Sequence, residues 1–189
     1  MCAIAGVIDF EGINKKHKNW CEEAKKQLKN RGPDQDGVYV SRFSALVHTR
    51  LAVIDIEKGK QPMSLERGRE KYTLVYNGEL YNTEALRSRL TALGHRFFGR
   101  SDTEVLLHAY AQYGDDCITR FNGIYAFAVW EEMRKRLFLA RDRIGVKPLF
   151  YSLRGKGMLF ASELKTILAY PGFRASIGLE GASEILLLG

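Results

Sequence analysis

The cysteine in the second position, Cys2, is the residue whose type and placement most directly suggest chemistry. Cysteine is already a few per cent thiolate near pH 7, and a nearby amine or cation raises that fraction. If Met1 is removed, Cys2 carries its own α-amino group. The reference pKa of such an amine is about 7.7–8.0, so it can accept the thiol proton and later return one to a leaving group. Cys2 is therefore a candidate N-terminal nucleophile, with a packing cysteine as the alternative.

A thiol nucleophile that hydrolyses the side-chain amide of an amino acid needs three further kinds of group. A cation must bind the substrate carboxylate, an anion its ammonium group, and donors the tetrahedral oxyanion. The candidates are Arg50 at the end of a strand-like run, Asp102 at a helix start and the dipeptide Asn77-Gly78. Their structural alternatives are an ion pair, a second helix cap and a hairpin turn. Because three residues separate Gly78 from the next helix start, we expect Asn77-Gly78 to shape a loop rather than a hairpin.

Other reactive side chains have ordinary explanations. The remaining cysteines, Cys21 and Cys117, show no CxxC spacing, so neither a disulfide framework nor a zinc site is indicated. His48 could assist the Cys2 thiol, but the terminal amine already supplies a base, and a packed strand histidine is commoner. Residues 141–147, charged and containing glycine, are interpreted as a hairpin connection rather than a phosphate site.

Strands in the first 80 residues must position these candidates. Apolar, β-prone runs predict strands at residues 3–10, 37–40, 45–54 and 72–76. A polar helix is predicted up to about Asn30, with a turn at residues 31–34 and a loop over residues 59–69.

Two helices follow the first group of strands. The first, over residues 83–93, has a leucine stripe and ends at Gly94. The second, over residues 102–113, begins with a capping box formed by Ser101 and Glu104.

The second half of the sequence returns to strands. They are predicted at residues 124–130, 136–141, 149–153 and 158–161, before a short helix over residues 162–169 and the start of another over residues 179–189. Strands, then helices, then strands without βαβ alternation predict an α+β protein with a mostly antiparallel sheet or two stacked sheets.

Composition limits the class of protein. With 189 residues, 46% of them hydrophobic, the chain has the size and composition of one globular domain, which we place at residues 1–189. The net charge of +7 does not indicate a nucleic-acid partner, because Glu22 and Glu23 interrupt the basic stretch and no aromatic-interleaved RNA-binding pattern is present. The apolar runs are too short for a membrane span, and the first residues lack a basic leader, so we expect a cytoplasmic protein.

Seven short motifs occur along the chain in a fixed order. They are Cys2 at the start, Arg31-Gly32-Pro33-Asp34, His48-Thr49-Arg50-Leu51-Ala52-Val53-Ile54-Asp55, Tyr76-Asn77-Gly78-Glu79-Leu80-Tyr81-Asn82, Ser101-Asp102-Thr103-Glu104-Val105, Phe121-Asn122-Gly123-Ile124-Tyr125-Ala126-Phe127-Ala128 and Arg141-Asp142-Arg143-Ile144-Gly145-Val146-Lys147-Pro148-Leu149. Together they resemble the class II glutamine amidotransferase domain of asparagine synthetases, from Met1 to Ala169. One such motif is weak evidence, whereas seven in register are specific.

The resemblance implies an N-terminal-nucleophile hydrolase fold. This is a four-layer αββα arrangement in which two stacked antiparallel sheets are flanked by helices. It also implies a set of roles for individual residues: Cys2 as nucleophile, Asn77 and Gly78 as oxyanion donors, Arg50 on the substrate carboxylate, Asp102 and Glu79 on its amino group and nearby polar atoms, and Leu51 and Val53 as main-chain contacts. Residues 31–34 would lie beside the pocket.

The activity that the resemblance implies is hydrolysis of L-glutamine to glutamate and ammonia. In a longer protein a C-terminal synthetase domain would use this ammonia to make asparagine from aspartate. We expect ATP and Mg²⁺ only in that domain, and no cofactor or metal here. A homodimer is left open. The alternatives are a different ammonia acceptor, such as a sugar phosphate or phosphoribosyl pyrophosphate, or an inactive module if Met1 is retained.

Overall fold

A computed structural model of the chain describes residues 1–52, 55, 57–176, 178, 179, 183 and 187. The strands within these residues are β1 (Ala3–Asp9), β2 (Gln35–Val40), β3 (Ser44–Arg50), β4 (Met63–Arg67), β5 (Glu70–Leu80), β6 (Gly123–Glu131), β7 (Arg136–Arg141), β8 (Phe150–Arg154) and β9 (Gly157–Ala161). The helices are α1 (Lys15–Leu28), α2 (Thr83–Ala92), α3 (Asp102–Tyr113) and α4 (Leu164–Leu168), with a 3₁₀ helix over Gly114–Arg120.

The strands form two antiparallel sheets. The first sheet has the order β2-β3-β1-β9-β8, and the second has the order β4-β5-β6-β7. In the first sheet Ala3 lies opposite Thr49. In the second, Asn77 lies opposite Ala126. The predicted α+β class and the two stacked antiparallel sheets are confirmed.

The two sheets pack face to face, with helices on both outer faces. The side chains between the sheets form one core: Ile4, Ile8, Leu46, Val75, Ala126, Ala128, Trp130 and Phe160. Residues of α1 and α4 pack against the outer face of the first sheet. Residues of α2 and α3 pack against the outer face of the second. This gives the four layers that the resemblance implied.

The basic stretch near residue 20 is the exposed side of α1. Trp20, Ala24 and Leu28 recur every four residues, so they share one face and are buried against the first sheet. Lys18 and Lys26 are exposed on the other side.

Two predictions around β5 are wrong. Asn77 and Gly78 do not form a loop, because β5 continues through them to Leu80 in unbroken pairing with β6. The predicted loop over residues 59–69 contains β4, which pairs with the first half of β5. Both errors have one cause: strand pairing with a distant segment overrides local turn signals. Strand β3 ends at Arg50, and residues 53 and 54 of the predicted strand lie outside the described residues.

The capping prediction for α3 is half right. The Ser101 side chain accepts a hydrogen bond from the Glu104 backbone N–H at 3.3 Å. The Glu104 carboxylate does not complete a capping box. It accepts hydrogen bonds from the backbone N–H groups of Phe98 and Gly99, at 2.7 and 2.9 Å. Glu104 therefore anchors the loop before the helix.

The connection after β7 also differs from its prediction. We interpreted residues 141–147 as part of a hairpin, but β7 pairs with β6 in the second sheet, whereas β8 pairs with β9 in the first. Residues 142–149 therefore cross from one sheet to the other at one end of the sandwich.

No helix among the described residues is long and apolar enough to cross a membrane. The tail beyond residue 176 lies mostly outside the described residues, and so does most of the helix predicted there.

Candidate active site

Three of the candidate residues meet at one end of the space between the sheets. Cys2 immediately precedes β1 and, by the register of Ala3 with Thr49, lies beside Arg50. Side chains alternate along a strand, so Cys2 shares the inner face of the first sheet with Ile4. By the same alternation Asn77 lies on the inner face of the second sheet.

A pocket opens at this end of the sandwich. Its lining consists of Met1, Cys2, Arg50, Leu51, Gln61, Tyr76, Asn77, Gly78, Glu79, Ser101, Asp102, Thr103 and Lys147. Its volume is about 240 Å³. Pockets for drug-sized ligands usually span roughly 300–1,000 Å³, so this one suits a small ligand.

The Cys2 thiol is held beside main-chain atoms. Its Sγ lies 3.7 Å from the carbonyl oxygen of Leu51, and the Arg31 Nε donates to the Cys2 carbonyl at 3.3 Å. Burial raises the pKa of the thiol, whereas the positive charges of the chain amine and of Arg50 act in the opposite direction. A thiol with a raised pKa needs a base before it can act as a nucleophile.

Asn77 presents an amide donor without a partner. The residue is 1% exposed, and its Nδ2 has no hydrogen-bond partner among the described residues. An unsatisfied buried donor costs about 1–3 kcal/mol, so folded proteins rarely keep one without a reason. Because Asn77 lines the pocket, a ligand oxygen there would satisfy this donor.

The backbone N–H of Gly78 projects from an open edge of β5. Alternate N–H groups of a strand point the same way, and those of Tyr76 and Leu80 donate to Gln61 Oε1 and Asp102 Oδ2, at 2.7 and 3.2 Å. The Gly78 N–H lies between these two N–H groups along the same edge of β5. The pairing of β4 with β5 ends at Leu74, so β4 does not cover the Gly78 N–H.

Only glycine fits at position 78. A Cβ atom there would lie 2.4 Å from the carbonyl oxygen of Ile124 and 2.6 Å from the Tyr76 ring. The missing side chain therefore lets β5 approach β6 closely while the N–H stays accessible from the pocket.

A fixed cation lines the pocket at Arg50, which is 5% exposed. Its guanidinium donates to Gln35 Oε1 and to the Asp55 carbonyl, each at 2.8 Å. A guanidinium positioned in this way can present a planar pair of N–H groups to a carboxylate.

A fixed anion lines the pocket at Asp102, the first residue of α3. Its carboxylate accepts hydrogen bonds from the Tyr76 hydroxyl at 2.9 Å and from the backbone N–H groups of Leu80 and Thr103 at 3.2 and 2.9 Å. Burial raises the pKa of the carboxyl, and these hydrogen bonds oppose the rise. A pocket with one fixed cation and one fixed anion matches the two charges of a free amino acid.

The turn over residues 31–34 supports the first sheet beside the pocket. The Asp34 N–H donates to the Arg50 carbonyl at 3.0 Å, and the Asp34 carboxylate accepts from the Ala52 N–H at 2.8 Å. A Cβ atom at Gly32 would lie 2.2 Å from the Thr49 carbonyl carbon, so the turn packs directly on β3.

Comparison with known proteins agrees with this geometry. A family model described as a glutamine amidotransferase domain matches residues 1–189. The chain belongs to this family.

Curated relatives of this glutamine amidotransferase domain include proteins named asparagine synthetase. It is 49% identical over 189 residues to glutamine-hydrolysing asparagine synthetase 3 of Bacillus subtilis, covering 100% of this chain and 31% of that protein. It is 38% identical over 195 residues to a putative asparagine synthetase of Methanocaldococcus jannaschii, covering 89% of this chain and 35% of that protein. The amidotransferase domain thus spans about a third of the length of these relatives.

Two solved enzyme structures share the fold of this chain. Glutamine phosphoribosylpyrophosphate amidotransferase from B. subtilis superposes with a TM-score of 0.76 at 21% identity, over 89% of this chain and 43% of that one. The allosteric regulatory enzyme of purine biosynthesis gives a TM-score of 0.73 at 22% identity, over 88% of this chain and 43% of that one. At this identity the likeness establishes the fold.

The structure brings together nearly all residues that the sequence nominated for the amidotransferase site. The following line one pocket: Cys2, Arg50, Leu51, Asn77, Gly78, Glu79 and Asp102. Val53 lies outside the described residues. The roles of all eight stay predictions.

His48 is buried away from this chemistry. It is 0% exposed, and its Nε2 lies 3.0 Å from the Tyr76 carbonyl oxygen. Burial lowers the pKa of its imidazole to about 3, so the ring is neutral at pH 7. In the structure it links the two sheets.

Sequence reasoning assigned no site role to five polar residues of the pocket: Gln61, Tyr76, Ser101, Thr103 and Lys147. Gln61 bridges β5 and α3, because its side chain accepts from the Tyr76 N–H and donates to Thr103 Oγ1 at 3.3 Å. Lys147 belongs to the stretch that we interpreted as a hairpin connection. A lysine within a charged, glycine-containing motif was the signal available in the sequence for Lys147.

The described residues contain no group of three or more His, Cys, Asp or Glu side chains that could hold a metal ion. The sequence-based expectation that this domain needs no metal or cofactor stays a prediction.

Proposed function

We propose that this domain hydrolyses the side-chain amide of L-glutamine to L-glutamate and ammonia through a thioester on Cys2, once Met1 has been removed. The supporting observation is the convergence, in one small pocket, of the Cys2 thiol, an unpartnered buried amide at Asn77 and fixed charges of opposite sign at Arg50 and Asp102. A lone thiol would not select an amino acid with two charged groups.

In the proposed reaction the α-amine of Cys2 takes the thiol proton, and the thiolate attacks the γ-amide carbon. The carbonyl oxygen becomes an oxyanion that accepts hydrogen bonds from Asn77 Nδ2 and the Gly78 N–H. The amine returns its proton to the departing nitrogen as the C–N bond breaks, which releases ammonia and leaves a γ-glutamyl thioester. Water then attacks the thioester, freeing glutamate and the thiol.

The substrate would be oriented by its own two charges. We assign its α-carboxylate to Arg50 and its α-ammonium group to Asp102 and Glu79, with main-chain contacts from Leu51 and Val53. A bidentate Arg–carboxylate pair fixes orientation as well as supplying binding energy. Proper orientation places the γ-amide carbon at the thiol, where proximity lowers the barrier.

For the longer protein we propose asparagine synthesis, in which a further domain uses this ammonia with ATP, Mg²⁺ and aspartate. The support is the asparagine synthetase name of the two curated relatives described above, of which this chain covers about a third. A phosphoribosyl pyrophosphate or sugar phosphate acceptor is weaker, because the phosphoribosylpyrophosphate amidotransferase shares only 21% identity. A single domain over residues 1–189, a cytoplasmic location and a homodimer stay predictions.

The test of the proposal is glutamate release by Cys2→Ala compared with the unaltered chain. Intact mass first establishes that Met1 is absent from the wild-type sample, because a retained Met1 would leave Cys2 without its amine. We expect the substitution to remove essentially all activity, since nucleophile and base act as a unit.

The matched control is Cys21→Ala, which removes a thiol on the buried face of α1, away from the pocket. It should keep glutaminase activity. Equal glutamate release by Cys2→Ala and the Met1-free wild type would contradict the proposal.

A further inference from the structure

Lys147 is a buried cation in the pocket wall whose partner is Met1. The residue is 9% exposed and lines the same pocket as Cys2. Its Nζ donates to Met1 Sδ at 3.5 Å, and this thioether is the only partner of the ammonium group among the described residues. Lysine is almost never buried unless it is paired, and a thioether is a weak acceptor.

The backbone around Lys147 holds it in place independently of Met1. The Asp142 carboxylate accepts hydrogen bonds from the N–H groups of Val146 and Lys147 at 2.8 and 3.0 Å. It also accepts from the Tyr125 N–H at 3.3 Å, and Tyr125 is the pairing partner of Gly78. The crossing segment, residues 142–149, is therefore fastened to β6, the strand that pairs with the proposed oxyanion donors on β5.

Removal of Met1 would change the surroundings of this ammonium group. The proposed reaction requires that removal, and it takes away the thioether while leaving the bonds of the Lys147 backbone intact. A positive charge then remains in the wall of the pocket that Cys2, with its new α-amine, also lines.

We propose that Lys147 is a positioning residue that acts electrostatically on Cys2, keeping its terminal amine neutral and favouring its thiolate. This inference rests on the proposed function, since the free amine exists only in the processed chain. A like charge disfavours protonation of the amine, and an opposite charge favours the thiolate. Both effects increase the reactive forms near neutral pH.

Two other cations lie near Cys2, and the positive charge of Arg50 also favours its thiolate. Arg50 is held by Gln35 and the Asp55 carbonyl. Arg31, behind the Cys2 carbonyl, lies 3.7 Å from Glu163.

Two carboxylates and one phenol also face the pocket. Asp102 and Glu79 act against the thiolate and favour a protonated amine, and the pKa of the Tyr76 phenol is raised well above its usual value by burial and by Asp102. Lys147 opposes these two carboxylates and is not neutralised by an ion pair within the described residues.

The experiment compares Lys147→Met, which keeps the length of the side chain without its charge, with Lys147→Arg, which keeps the charge. The readout is the pH dependence of kcat/KM for glutamine hydrolysis in Met1-free protein. We expect the acidic limb of the kcat/KM profile to move to higher pH by about 0.5–1 unit in Lys147→Met and to stay in place in Lys147→Arg. Lys147→Gln is a second neutral variant in case the Met variant does not fold.

A matched surface control is Lys156→Met. This residue is 75% exposed and lies in the β8–β9 turn. That turn is at the far end of β1, about 20 Å from Cys2 at roughly 3.3 Å per residue. An acidic limb that does not move in Lys147→Met, or that moves equally in Lys156→Met, overturns the inference.

Thiol alkylation by iodoacetamide separates this inference from the proposed function. Burial raises the pKa of Cys21 and of Cys117 to about 12, so the alkylation rate near neutral pH reports on Cys2. If Lys147→Met moves the alkylation profile upward but no variant hydrolyses glutamine, the inference stands and the proposed function fails. If Lys147→Met hydrolyses glutamine while the pH profiles of kcat/KM and of alkylation both stay unchanged, the inference alone fails.

Discussion

At the scale of single residues, the unpartnered Nδ2 of Asn77 is the detail that most clearly separates function from stability. A buried polar side chain that contributes only to folding usually bonds to a neighbour, as the Tyr110 hydroxyl does with the Glu131 carboxylate. Asn77 instead keeps an unpartnered donor on a buried strand that lines the pocket. The stability lost by leaving this donor unpaired is consistent with a hydrogen bond gained by the oxyanion in the transition state.

This contrast predicts that Asn77→Ala separates the two properties. We expect kcat for glutamine hydrolysis to fall by about 10²–10³, the usual effect of removing an oxyanion donor. The free energy of unfolding, from urea denaturation, should change by less than about 1 kcal/mol because the lost donor was unsatisfied. A large loss of stability, with a loss of activity no greater than the loss of folded protein, would mark Asn77 as a structural residue.

At the scale of elements, the site depends on how closely β5 and β6 approach each other. Gly78 is in contact with the Ile124 carbonyl, and its neighbours Tyr76 and Leu80 give their N–H groups to side chains from outside the sheet. Gln61 and Asp102 thus cap the open edge of β5 on both sides of the accessible N–H.

We predict that Gly78→Ala lowers both stability and activity. The added Cβ would have to push β5 away from β6, which should cost about 1–3 kcal/mol of unfolding free energy. It would also displace the Gly78 N–H by part of an ångström, and we expect at least a tenfold fall in kcat.

The control for this prediction is Gly157→Ala. Its Cβ would lie 2.1 Å from the Ile8 carbonyl in the β1–β9 ladder, a similar strain at the opposite end of the sandwich. It should be destabilising with near-normal kcat in the folded fraction. Equal losses of kcat in the two variants would show that general destabilisation is responsible.

At the scale of the whole molecule, the two sheets are joined by polar as well as apolar contacts. His48 on the first sheet bonds to the Tyr76 carbonyl on the second, inside the core. Its folded-state pKa of about 3 lies below the usual value near 6.5, because burial disfavours the imidazolium. The neutral form is therefore part of the folded structure.

The consequence is an acid-sensitive contribution to stability. Since folding lowers this pKa, the contribution is complete above about pH 6.5 and is lost progressively as the pH falls towards 3. Between pH 6.5 and 5 the loss should reach up to about 2 kcal/mol. Urea denaturation across this range should show a shallower pH slope in His48→Gln than in the wild type.

Part of the slope should remain in that variant. His108, whose pKa is lowered to about 4 by burial and by the neighbouring His95, titrates over the same range. An unchanged slope in His48→Gln would contradict the assignment to His48.

Much of this molecule follows from the sequence alone. The opening strand, α2 and α3 were predicted within a residue or two, because their apolar periodicity and their Ser and Gly end signals are local. The pocket residues Cys2, Arg50, Asn77, Gly78 and Asp102 were found from the chemistry that each side chain can perform and from motifs that occur in a family order. Both the periodicity of an element and the motifs of the site are contained in short stretches of the sequence.

Only the tertiary structure placed what depends on distant segments. Strand β4, the continuation of β5 through Asn77-Gly78 and the crossing of residues 142–149 all arise from pairing between strands that no local pattern specifies. Only the folded structure also shows the importance of Gln61 and Lys147, because it shows which atoms their side chains contact. A thiol, an amide and a cation become one site because the two sheets stack with their inner faces aligned at that end, and the anion, Asp102, joins them because the start of α3 is bonded to β5.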